Sequence, residues 1–150
     1  MTDATPPAVK TPWHLWLVGV LALLWNAMGA LDFTMTQAHN EAYLKAFTPE
    51  QKAYYFSLPS WVVLTWCVAT WGSLLGSLLL LLRQRLACHV FGTALVCSLI
   101  TFIYDYGLSD GLKVMGAMAT GILIFCGVII TIAVFLLVYA RAMKKRGVLR

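Results

Sequence analysis

Residues 114–140, VMGAMATGILIFCGVIITIAVFLLVYA, run for 27 positions without a charged side chain. At about 1.5 Å of rise per residue, a helix of that length exceeds the ~30 Å hydrocarbon core of a bilayer. Residues 11–31, 53–82 and 86–104 share the property, and the four stretches hold 97 of the 150 residues. Lipid offers no partner to backbone amides and carbonyls, so isolated apolar runs of this kind are helices. The sequence therefore reads as all-α: a four-helix transmembrane bundle of up-down topology. Spans are expected at about 13–33, 60–82, 86–106 and 113–140, within a membrane domain of residues 13–140. An outer loop at 34–59, an N-terminal tail at 1–12 and a basic tail at 141–150 complete it.

Charge placement sets the expected sidedness. Five of the eleven Lys and Arg fall in the last ten residues: Arg141, Lys144, Lys145, Arg146 and Arg150. Arg83, Arg85 and Lys10 join them on one side, leaving only Lys45, Lys52 and Lys113 on the other. Asp32, Glu41, Glu50, Asp105 and Asp110 lie opposite the basic cluster, with Asp3 alone beside it. By the positive-inside rule both termini are cytoplasmic. The basic tail is read as a topology signal touching anionic headgroups. No aromatic or glycine-rich pattern accompanies it, so the net charge of +5 is not read as nucleic-acid binding. The first span has a loose small-residue site at Ala27-Met28-Gly29, but its apolar region is too long for a signal peptide and reads as a retained anchor. Cys67, Cys88, Cys97 and Cys126 lie inside spans without a Cys-x-x-Cys pair, as free apolar thiols do.

The outer loop carries a helix-start signal, Thr48-Pro49-Glu50-Gln51. Thr48 is the cap, Pro49 the first helical residue and Gln51 the capping-box partner. That helix should carry Tyr54, Tyr55 and Phe56 and stop near Pro59, with another short turn around residues 42–47. Both belong at the outer interface, where aromatic rings gather. The short Arg83-Gln84-Arg85 turn makes spans two and three antiparallel neighbours, and the short loop from Asp105 to Lys113 does the same for spans three and four.

Small residues mark helix contacts in lipid, where no hydrophobic force drives helices together. Gly72, Ser73, Gly76 and Ser77 form such a stripe on the second span; Gly116, Thr120, Gly127 and Thr131 form one on the fourth. Gly19, Ala22, Asn26 and Ala30 do so on the first. All are read as inner faces of the bundle, with self-association as the other use of such stripes. On the third span His89, Thr93, Cys97, Thr101 and Asp105 recur every four residues, a ridge that lines a water path or merely bonds to its own backbone.

Asn26 is the most deeply placed strongly polar side chain, suited to interhelical glue or to a ligand. Asp32, Asp105 and Tyr104 lie near the outer ends of their spans, where five of the six tyrosines collect. Carboxylates with aromatic faces are the materials of a sugar-like or cationic site, and equally of an interfacial belt. Asn26, Asp32, Tyr104 and Asp105 are the candidate ligand residues. His14 and His89 sit at comparable depth near the basic ends of spans expected to be neighbours, the one arrangement here able to hold a haem. His39 is alone, so no metal site is expected beyond that pair, and no catalytic motif is present. The small four-helix multidrug exporters rely on one membrane-embedded Glu; this chain has none.

Three segments, LALLWNAMGALDFTMTQ, FTPEQKAYYFSLPSWVVLTWCVATWGSLLGSLLLLLRQRLA and the KKRGVLR tail, resemble a group of small bacterial inner-membrane proteins carrying the placeholder label "sugar transporter". The GSLLLLLRQRLA turn is more loosely similar to DoxX-type four-helix proteins. The resemblance implies four spans in a bacterial inner membrane and carries over no binding residue. Four short-looped helices leave little room for a substrate. The sequence thus favours a non-enzymatic accessory or scaffold subunit binding lipids, other membrane proteins or itself, with no cofactor. The alternatives are a small-solute transporter acting as an oligomer and a haem-binding redox subunit.

Overall fold

Four helical segments are long and apolar enough to cross a membrane: Trp13–Gln37, Ser60–Leu81, Ala87–Leu108 and Gly111–Lys145. They come from a computed structural model describing residues 10–150. The first nine residues of the expected N-terminal tail, Asp3 among them, lie outside the described residues. Among the described residues all regular structure is helical. In chain order it comprises α1 (Trp13–Gln37), α2 (Glu41–Leu44), α3 (Pro49–Phe56), α4 (Ser60–Leu81), α5 (Ala87–Ile103), α6 (Gly111–Met115) and α7 (Ala119–Lys145). A π-helical turn, Tyr104–Leu108, continues α5, and a 3₁₀ turn, Gly116–Met118, leads into α7.

The outer loop folds as its cap residues dictate. The Thr48 hydroxyl accepts from the Gln51 amide at 3.2 Å, and the Gln51 side chain accepts from the Thr48 amide at 3.1 Å. These bonds start α3, which runs to Phe56. Upstream, Asn40 caps α2 by accepting from the Tyr43 amide.

α4 is the central helix, packed against both α1 and α5, while α7 packs against α5. The Gly72/Gly76 stripe faces α5: a Cβ on Gly76 would lie 2.8 Å from the Phe91 ring, and one on Gly72 would lie 3.4 Å from Ala94. Glycine is therefore what lets these two helices approach. At one end of the bundle the start of α1, the α4–α5 turn and the end of α7 meet. Arg83 donates to the Thr11 hydroxyl at 2.7 Å, and His14 shares a hydrogen bond with the Tyr139 hydroxyl. An apolar core cluster is centred on this basic half and includes Leu15, Leu80, Phe91, Leu136, Leu137 and Leu149.

Several expectations need correction. The fourth span, Gly111–Lys145, is interrupted as a helix near its start. Gly116 takes φ +51° and ψ −123°, which breaks the helix and separates α6 from α7. Only glycine adopts that backbone without strain, so Gly116 is a joint and not a packing residue. The rest of its proposed inner stripe, Thr120, Gly127 and Thr131, is exposed, and nothing lies within 4 Å of a Cβ built at Gly127. Helical spacing places these residues on one face but does not orient that face, and here it turns away from the neighbouring helices.

The basic segment 141–150 is ordered against the bundle. α7 continues past 140 to Lys145 and ends on Gly147, at φ +72°, with the Val148 amide donating to the Met143 carbonyl at 3.0 Å. This is a left-handed helix stop. Val148 and Leu149 are then buried. The Arg150 amide donates to the Arg83 carbonyl at 2.7 Å, and the Arg85 amide donates to the Arg150 carbonyl at 3.0 Å. The third-span ridge is not one face: Thr101 and Asp105 are buried, whereas His89 and Thr93 are exposed.

Candidate functional site

A cavity of about 570 Å³ lies between α1, α4, α5 and α7, from Asp32 and Asp105 in the acidic half of the bundle down to Phe91 and Leu136. That is the size of a drug-like ligand site. The structure thus leaves far more room than the short loops led the sequence reading to expect. The cavity lies where α7 packs chiefly on α5 and no comparable backbone packing joins α7 to α1. Those two helices meet through side chains, Trp25 of α1 against Phe125 of α7 with ring centroids 6.2 Å apart.

Three of the four candidate ligand residues line it. Asn26 lies deepest; its amide donates to the Ser77 hydroxyl at 2.8 Å, and Ser77 donates on to the Ser73 carbonyl at 2.9 Å. This pins α1 to α4, so Asn26 serves as glue while its carbonyl end is left over. Asp32, two turns further along α1, accepts a hydrogen bond from the Tyr43 hydroxyl. Asp105 is buried where α5 passes into the π turn. Its carboxylate accepts from the Tyr54 hydroxyl at 3.2 Å. Ser109 completes that cluster, 2.6 Å from the Tyr54 oxygen and donating to the Asp105 carbonyl at 2.8 Å.

The π turn explains how this cluster closes. Its wider ring, with the Ser109 amide bonded to the Tyr104 carbonyl, brings Ser109 back beneath Asp105. Such turns are rare and recur at functional sites. Gly111 is required beside it: a Cβ there would overlap the Asp105 carbonyl and lie 2.9 Å from the Tyr54 hydroxyl.

Tyr104 is the candidate the structure places elsewhere. Its ring packs edge-on against Trp61 at 5.1 Å and is not part of the cavity wall. It stands one residue before Asp105, about 100° around the helix, so it faces α4. Tyr106 lines the cavity instead, with Tyr55, Trp25 and Trp66. The two tryptophans escaped the sequence reading, although a signal existed. Trp25, Gly29 and Asp32 fall at helical spacing on one face, as do Trp66, Thr70 and Ser73.

The loop phenols report the local field. Burial foremost, then the hydrogen bond and charge of Asp32, pushes the Tyr43 hydroxyl up to about 12. Tyr54 is likewise pushed up to about 12, by burial first, with the Ser109 bond opposing and the Asp105 charge adding. Tyr55 is raised by burial and then by both Asp32 and Asp105, so its phenol senses the two carboxylates together.

The histidines part company. His14 is engaged with Tyr139 on α7, while His89 is exposed in a second recess of about 580 Å³ with Arg85, Arg141, Lys144 and Lys145. α1 packs chiefly on α4, and no extensive contact joins it to α5, the helix that carries His89. Among the described residues no three His, Cys, Asp or Glu side chains gather as a metal site would, and the four cysteines are free thiols. No family, no curated protein and no solved structure matches this chain.

Proposed function

We propose that this chain is a non-enzymatic membrane protein that binds a small amphipathic solute in the cavity of its acidic half, as a carrier or a membrane-embedded receptor. In this reading it sits in a bacterial inner membrane as an up-down bundle, with its basic end and both termini in the cytoplasm. The observation that carries the proposal is the cavity itself: about 570 Å³, walled by aromatic rings and holding Asn26, Asp32 and Asp105. A scaffold needs no such space, and helices free of ligand constraints can close it with larger side chains.

The test uses a plug. Gly29 lines the cavity, and a Cβ there meets nothing nearer than a Thr70 methyl at 3.9 Å, so Gly29→Phe fills the space without a clash at the backbone. Native mass spectrometry of gently extracted protein should show a small-molecule adduct that Gly29→Phe abolishes. An identical spectrum for the two proteins would overturn the reading.

A second reading, the accessory subunit, draws on one observation. Thr120, Gly127 and Thr131 form a small-residue strip on α7 open to a neighbouring helix. Gly127→Leu should then release a stoichiometric membrane partner on purification; a chain that purifies alone, or only with itself, counts against it.

A further inference from the structure

We propose that the solute carries a positive charge: an organic amine or quaternary ammonium on an apolar body, its cationic end between Asp32 and Asp105 and its body against the rings below. This rests on the reading of the cavity as a ligand site and adds the ligand's chemical class.

Counter-charge is the first argument. The cavity wall contains two carboxylates and no Lys, Arg or His. Among the described residues the one ion pair, Lys113 with Asp110, is exposed and does not border the cavity. The partners that Asp32 and Asp105 do have are neutral phenols, Tyr43 and Tyr54. Asp105 is buried and Asp32 half-buried; withdrawing a carboxylate from water without an opposite charge is costly, and a bound cation offsets that cost chiefly at Asp105 and in part at Asp32.

The hydrogen-bond inventory agrees. Each phenol engages the Oδ1 atom of its aspartate, and neither Oδ2 is a buried orphan. One oxygen of each carboxylate is therefore open. Many of the donors nearby are already committed: Thr70, Ser98 and Thr101 donate to carbonyls of their own helices, and Asn26 donates to Ser77. Donors remain as well, since the Tyr55 and Tyr106 hydroxyls and the Trp25 and Trp66 indoles border the space, but the two carboxylates give it its only formal charge. A neutral sugar can answer the hydrogen bonds yet leaves both charges uncompensated; an ammonium compensates them.

The rings supply the third argument. Trp25, Tyr55, Trp66 and Phe125 border the space, and Tyr55 packs on Trp66 with centroids 5.8 Å apart. Aromatic faces attract cations, tryptophan most strongly, and do so best where water is excluded.

The experiment uses two ions of one shape and opposite charge, tetraphenylphosphonium and tetraphenylborate, and an uncharged sugar-headed probe, phenyl glucoside. Equilibrium dialysis with the full chain in a neutral detergent, against protein-free micelles, separates binding from partitioning. Tetraphenylphosphonium should bind saturably, and affinity should fall about tenfold or more in Asp32→Asn and in Asp105→Asn. Asp105→Glu, which keeps the charge, should retain most of it. Saturable binding of phenyl glucoside with none of the phosphonium would overturn the cation assignment and leave the ligand site standing. Equal binding of phosphonium and borate, insensitive to both Asn variants, would also overturn it. Binding of no probe, together with no adduct lost in Gly29→Phe, would overturn both readings.

Discussion

The two ends of the bundle are built on opposite principles. At the basic end α1, α4, α5 and α7 converge, Leu15, Leu80 and Leu149 are wholly buried, and the chain folds back from Gly147 to pair Arg150 with the α4–α5 turn. At the acidic end the same four helices part around a cavity, and polar groups face inward. One end is closed by packing; at the other, hydrogen bonds from loop tyrosines tie the outer loop to Asp32 and Asp105. Substitutions at the closed end should therefore cost stability, and those at the open end should cost the proposed binding.

The contrast is most exposed to Leu149→Ala. It removes a fully buried side chain from the closed end and should cost about 2 kcal/mol or more, read as a lower melting temperature in detergent. Gly29→Phe, at the open end, should leave that temperature nearly unchanged. Equal losses in the two variants would erase the distinction. Next in size is Gly76→Val, whose added atoms run into the Phe91 ring where α4 meets α5; about 1–3 kcal/mol is expected. Gly127→Leu, on the exposed strip, serves as its control and should change monomer stability by less than about 0.5 kcal/mol.

Thr48→Ala should cost about 1 kcal/mol, confined to α3 and visible as faster amide exchange there and not in α4. The smallest effect is spectroscopic. The Tyr43 and Tyr54 hydroxyls titrate near 12, so their bonds to the aspartates are complete below the ordinary value near 10 and are lost only as pH rises through about 12. Tyr43→Phe and Tyr54→Phe should therefore leave the growth of phenolate absorbance between about pH 9 and pH 11 unaltered. A reduced signal would place those phenols in water and open the cluster.

Much of this architecture was legible beforehand, because long uncharged runs admit one secondary structure in lipid. The Thr48 cap, the short turns and the gathering of tyrosines around Asp32 and Asp105 also followed from residue type and spacing. Three features did not. The break at Gly116 is masked by an unbroken apolar run, since composition is blind to backbone sign. The outward turn of the Thr120–Thr131 strip depends on which neighbour α7 chooses, a property of the whole bundle. The cavity depends on α7 not packing along α1, and neither helix records that absence in its own sequence.

That missing seam has a consequence for how affinity must be expressed. α1 and α7 share little backbone packing and meet through side chains such as Trp25 and Phe125, so in the proposed bilayer placement acyl chains would border that seam and a ligand entering there would displace a lipid tail. Occupancy then follows the mole fraction of solute dissolved in the bilayer. Two membranes exposed to the same aqueous concentration will load this protein differently whenever they partition that solute differently.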